Sequence, residues 1–150
     1  MTRTHKRSIS IMAVTAALSC AMALAGSPTI TTRFFNSIDI GGFEACSWAE
    51  GKPAPNLEME TVVRSQVEES LEAKGYEIAF ETADCTVATQ AIRKGDFPIG
   101  MLVIEVSEKS TGRLAWRGEA AGLVNYEAKQ LKKRVRKAVK EMFKDFPKAR

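Results

Sequence analysis

Residues 101–121 read MLVIEVSEKSTGRLAWRGEAA. Leu102, Ile104 and Val106 alternate with polar or smaller neighbours, which is the period of a strand with one buried face. Glu108 to Gly112 is short, polar and ends in glycine, so it predicts a turn. Arg113 to Ala121 answers it, with Leu114 and Trp116 on one side and Arg117 and Glu119 on the other. Two alternating strands around such a turn predict a β-hairpin. A hairpin with one apolar face needs a cover, and the search for that cover decides the fold.

Two segments can supply it. Asn56 is a candidate N-cap, and Met59, Val63, Val67 and Leu71 then recur every four residues, with Val62 beside them. This is one face of a helix over 57–74. Glu58, Glu60, Arg64, Glu68, Glu69 and Glu72 occupy its other faces, and Gly75 is a suitable stop. The second helix spans Tyr126 to Phe146, with an apolar stripe of Leu131, Val135, Ala138, Val139, Met142 and Phe146, closed by Pro147. Further strands are expected at Phe43 to Trp48 and at Asp84 to Arg93, with Tyr76 to Phe80 as a short candidate. Residues 50–56, EGKPAPN, and 94–98, KGDFP, read as loops. Residues 26–42 read as a linker or an edge strand. The expected fold is α+β and two-layered: a mostly antiparallel sheet of four to five strands with two amphipathic helices on one face. Residues 43–150 form its single domain.

The first 25 residues have another character. MTRTHKR carries Arg3, Lys6 and Arg7 and no acid, and residues 8–25 carry no charge. A basic start, an apolar run and small residues at its end describe a secretory signal peptide. Cleavage after Ala25, at Ala23-Leu24-Ala25, gives a mature chain from Gly26. Cleavage after Ser19, at Ala17-Leu18-Ser19-Cys20, removes 1–19 and leaves a lipidated Cys20. An uncleaved anchor is the third reading. All three place the folded part outside the cytoplasm.

Without the leader, 19 basic residues face 18 acids, a net charge of +1. The balance is uneven along the chain. Residues 127–150 hold ten Lys/Arg and three acids, whereas residues 26–126 hold nine and fifteen. The plain reading is a helix with a solvated basic face; the sharper one is a patch that touches anionic lipid or polymer. The one histidine, His5, lies in the leader. A mature chain without histidine has no imidazole base and no imidazole metal ligand.

Cys46 and Cys85 are the other cysteines. Two thiols in a small exported domain are expected to pair as a disulfide, against the alternative of two buried free thiols. They leave a metal shell half empty, and the spacing is not the C-x-x-C of a redox pair. No phosphate loop, serine-nucleophile motif or cofactor fingerprint is present. The basic last helix lacks interleaved aromatics, which argues against nucleic acid. Asp84 is expected to bond backbone amides before its strand or to take part in binding. Trp48 and Trp116 are expected in the core or lining a ligand or partner surface.

The ordered set of Trp48, a proline loop, a helix ending Lys74-Gly75-Tyr76, then Ala83-Asp84, Gly100-x-Leu102, Thr111-Gly112-Arg113-Leu114-x-Trp116-x-Gly118 and Phe146-Pro147 resembles a bacterial envelope family. That family is called domain of unknown function 4136. The resemblance covers about residues 30–147 and implies a small exported α+β domain, very often a lipoprotein of the Gram-negative periplasm or outer membrane. It favours the reading of Cys20 as lipidated and implies no activity. The family usually has an aromatic residue two places before the tryptophan and an aliphatic one after the aspartate. Cys46 and Cys85 stand there, and a bridge accounts for both departures together. The leading function is therefore a non-enzymatic binding or scaffolding domain for an unknown envelope protein. The alternatives are a carrier or sensor of a small apolar or amphiphilic ligand, using the sheet face under Trp116, and an enzyme built from Asp, Glu, Lys or Tyr.

Overall fold

The computed structural model describes residues 26–51, 53–54, 56–124 and 127–150. The leader with Cys20, and Tyr126 at the expected start of the second helix, lie outside the described residues. In chain order the elements are β1 (Thr29–Phe34), a 3-10 turn (Ile40–Gly42), β2 (Ala45–Trp48), α1 (Leu57–Glu72), β3 (Glu77–Ile78), β4 (Cys85–Lys94), β5 (Phe97–Glu108), β6 (Leu114–Ala121) and α2 (Ala128–Met142).

The strands form one six-stranded sheet in the order β1-β6-β5-β4-β2-β3. The expected hairpin is β5–β6, with Val106 opposite Trp116 and Ile104 opposite Gly118. The sheet differs from the expected four to five antiparallel strands in two ways. Segment 26–42 contributes the edge strand β1, antiparallel to β6 from Thr29↔Ala121 to Phe34↔Trp116. In addition β2 runs parallel to both β4 and β3, because α1 carries the chain back across the layer before β3 and β4 begin. The sheet is therefore mixed. Residues 94–98 are a second tight hairpin rather than a loop: Lys94 pairs with Phe97, and only Gly95 and Asp96 lie outside the strands. A register shift between Ile92 and Lys94 accommodates the extra residues there.

Helix α1 begins and ends on local signals, whereas α2 starts without a side-chain cap. The Asn56 side chain accepts a hydrogen bond from the Met59 amide at 2.8 Å, with Glu58 and Glu60 in the first turn. Gly75, at φ +92°, closes the turn after α1. The regular part of α2 stops at Met142 instead of reaching Phe146, because the chain tightens there, with the Lys144 amide bonded to the Glu141 carbonyl and that of Phe146 to Phe143. The helices lie side by side and run the same way. Lys132 pairs with Glu58 near their starts, Lys140 meets Glu69 at 3.3 Å, and Lys74 donates to the Lys144 carbonyl near their ends.

Helices and sheet enclose one core. Met59, Val62, Val63, Val67 and Leu71 of α1 and Leu131, Val135, Ala138, Val139 and Met142 of α2 are buried over Val87, Leu102, Ile104, Val106 and Trp116. Trp116 is fully enclosed, its ring centroid 5.0 Å from those of Phe143 and Phe146. Cys46 and Cys85 are paired in register on neighbouring parallel strands, Cα atoms 4.5 Å apart, and form a disulfide. The opposite sheet face is polar. Arg117 bridges Glu105 and Glu119 on it, at 3.0 and 2.6 Å.

Candidate functional site

The parallel order sets one end of the molecule. The last residues of β2, β4 and β6, the first turns of both helices and the start of β1 all lie there. At this end an open cleft of about 470 Å³ is lined by Trp48, Ala49, Glu50, Gly51, Pro53, Glu60, Arg64 and Thr89. The Ala49 amide continues the ladder by bonding to the Val87 carbonyl at 2.9 Å. Gly51 then lies directly on β4; a Cβ there would come within 2.6 Å of the Thr89 carbonyl oxygen, so no larger residue permits this approach.

The cleft wall is a linked chain of side chains. The Trp48 indole N–H donates to Glu68 Oε1 at 2.8 Å. The Arg64 guanidinium stands over the Trp48 ring, 4.6 Å from its centroid. Arg64 also donates from Nε to Glu60 Oε1 at 2.8 Å, while Glu60 Oε2 accepts from the Ala54 amide at 2.8 Å. Glu60, Arg64 and Glu68 follow at intervals of four, so α1 presents them as one stripe beside the tryptophan. Each member holds another in place. The arrangement is a preformed surface with one aromatic edge, acidic oxygens and a cation, suited to recognising a polar partner.

The three residues expected at a ligand or partner surface are not brought together. Trp48 lines the cleft. Asp84 lies at the other end of the sheet, where Oδ2 accepts from the amides of Glu44 at 2.8 Å and Ala45 at 3.3 Å and so ties the start of β2 to the start of β4. Trp116 is core, and the sheet face beneath it is filled by Met142, Phe143 and Phe146. The pocket imagined there for a small apolar ligand is occupied by the protein's own side chains. Glu60, Arg64 and Glu68 escaped the sequence reading, which left them on solvated helix faces; their spacing of four was the available signal.

Among titratable groups, Tyr76 departs from ordinary behaviour. Burial pushes its phenol up to about 12, with the Asp39 carboxylate adding to the rise and Arg150 opposing it. Its hydroxyl stands 3.2 Å from both the Ile40 and the Pro147 carbonyl oxygens, which makes it a clasp for the chain's end. Among the described residues no helix is long and apolar enough to cross a membrane.

A two-layer α+β domain, one sheet face roofed by two parallel helices and a cleft at the strand ends, defines the class. Within that class the chain belongs to the family described as Domain of unknown function (DUF4136), which matches residues 31–148. The fold is similar to that of a DUF4136 family protein from Bacteroides thetaiotaomicron, with a TM-score of 0.60 at 12% identity over 79% of this chain and 95% of that one. It is similar also to part of a PDZ domain protein from Parabacteroides distasonis, with a TM-score of 0.62 at 17% identity over 81% of this chain and 36% of the other. The PelC dodecamer from Paraburkholderia phytofirmans gives a TM-score of 0.55 at 11% identity, covering 82% and 99% of the two chains. No curated protein matches the chain.

Proposed function

We propose that the chain is an exported cell-envelope protein, anchored by a lipid on Cys20, whose folded domain is a non-enzymatic binding or scaffolding module with the Trp48 cleft as its recognition surface. The observation that carries this reading is the buried Cys46–Cys85 disulfide downstream of a leader-like segment, since such bonds persist in oxidising compartments. The cleft supports binding rather than catalysis in a specific way. Both oxygens of Glu60 and one of Glu68 are already engaged by Arg64, the Ala54 amide and Trp48. Carboxylates so engaged shape a surface and are poorly placed to move protons. The test is the intact mass of the protein from membrane and soluble envelope fractions, with and without reductant. The expected species begins at Cys20, carries diacylglyceryl and acyl groups, and gains two hydrogens on reduction. A species beginning at Gly26 in the soluble fraction overturns the anchor. A chain that keeps its leader and two free thiols in the cytoplasm overturns export itself.

A further inference from the structure

The outer side of α2 is a cationic stripe. Lys129, Lys133, Arg136, Lys137, Lys140 and Lys144 are all exposed. At the turn of an α-helix the five of these within α2 fall within an arc of about 100° and run for about 17 Å along the axis, with Lys144 following just past the helix end. The arc lies opposite the stripe of Leu131, Val135, Ala138, Val139 and Met142 that faces the core. No acid falls inside it; Glu141 borders it, and Glu127 and Asp145 lie beyond that border. Lys140 meets Glu69 at 3.3 Å and Lys144 meets Glu141 at 3.5 Å, all four side chains more than half exposed, where such pairs hold little charge back from a competitor. Among the described residues, Lys129, Lys133, Arg136 and Lys137 make no ion pair. Lys132, which does pair with Glu58, points toward α1 and away from the stripe.

We infer that this stripe is a docking surface for an anionic membrane, recognising the phosphates of lipid headgroups. Charge alone fits any polyanion. The position of the stripe favours a bilayer. Thr29 is paired with Ala121, so the chain enters the domain at the end where α2 starts. Eight residues lie between Cys20 and Thr29, an extended reach of at most about 30 Å. A lipid on Cys20 therefore keeps α2 within reach of the headgroups, and a straight row of cations lies flat against a surface. This part of the argument rests on the proposed lipid anchor. Docking through α2 turns the polar sheet face with Arg117, Glu105 and Glu119 away from the bilayer.

The experiment uses the chain produced from Gly26 onward, which contains every strand and helix described above and carries no lipid. It is sedimented with vesicles of phosphatidylcholine alone and of phosphatidylcholine with one-third phosphatidylglycerol, at low and high salt. The expected result is binding to the anionic vesicles only, abolished by high salt. The triple substitution K133Q/R136Q/K137Q weakens that binding about a hundredfold. The control R33Q/R93Q/K94Q removes the same charge elsewhere and leaves most of it. Equal loss in the control, equal binding to neutral vesicles, or capture of a soluble polyuronate without vesicle binding each overturns the inference. Circular dichroism of each variant shows that the fold is kept. The lipid-free chain also separates the two ideas: failure to bind anionic vesicles refutes the stripe, whereas a native species whose mass begins at Gly26 refutes the anchor and leaves the stripe standing.

Discussion

Gly118 is a packing requirement of Trp116, and the substitution G118A exposes it. A Cβ at this position would come within 2.6 Å of Trp116 Cη2 and 2.9 Å of Met142 Sδ. Ordinary contact begins at 3.4 Å, so both neighbours must give way. Neither can do so freely. Trp116 is fully enclosed between Phe143 and Phe146, and Met142 is 1% exposed. Overpacking a core in this way costs about 1–3 kcal/mol, and the rigid indole places the expected loss near 2 kcal/mol. Alanine's better backbone propensity in mid-strand offsets about 0.5 kcal/mol of this. Urea unfolding followed by circular dichroism measures the change at constant m-value. The companion W116F removes the ring atoms that collide and also the Trp116 indole N–H, which has no partner in the core. The double variant W116F/G118A is therefore expected to be more stable than the two single losses added together, with a coupling of about 1 kcal/mol. A G118A protein within about 0.5 kcal/mol of the parent, or strictly additive losses, refutes the reasoning.

Three further outcomes follow from the same core. The disulfide closes a loop with a sequence separation of 39, worth about 4 kcal/mol in the chain-entropy account, so C46A/C85A should melt about 15 °C lower by calorimetry; an unchanged midpoint means that the crosslink restrains nothing. In a Y126F background Tyr76 is the single tyrosine, and its tyrosinate absorbance should appear near pH 12 in the folded chain and near 10 in denaturant. Because the folded phenol holds its proton longer, its contribution to stability is complete below pH 10 and is lost as pH rises toward 12, and Y76F should flatten that decline. D84A leaves the amides of Glu44 and Ala45 without their acceptor and should cost about 1–3 kcal/mol in urea unfolding, with D84N recovering part of it through its side-chain oxygen.

The elements that sequence identifies well here are those whose causes are local. The β5–β6 hairpin follows from alternation around a glycine turn, and α1 follows from its Asn56 cap and four-residue apolar repeat. The parallel pairing of β2 with β4 has no local cause, because its partners are 39 positions apart and meet only after α1 has crossed the layer. Residues 94–98 misled for a different reason: a lysine, a glycine and a proline within five residues look like a loop, yet the register shift at Ile92/Lys94 lets both strands run to the turn. The cleft was half legible. A tryptophan before a proline-rich stretch marked Trp48, but its partners lie on a helix that approaches it only in the folded chain. Trp116 shows the reverse. Its neighbours Arg117 and Glu119 lie on the polar face, while the residues that enclose it come from the last turn of α2 and the segment after it.

The edge position of β1 has a mechanical side. The chain leaves toward its first residues through a strand that pairs on one side only, with β6, in antiparallel register from Thr29↔Ala121 inward. A pull on that leading end, directed across the strands, opens the pairs one at a time like a zipper instead of loading them together. The strand then pays out about 20 Å of slack before the load reaches the disulfide-bonded half of the sheet. The edge strand is thus a built-in shock absorber, recoverable by re-pairing, and the core beneath α1 is the last part to feel the strain.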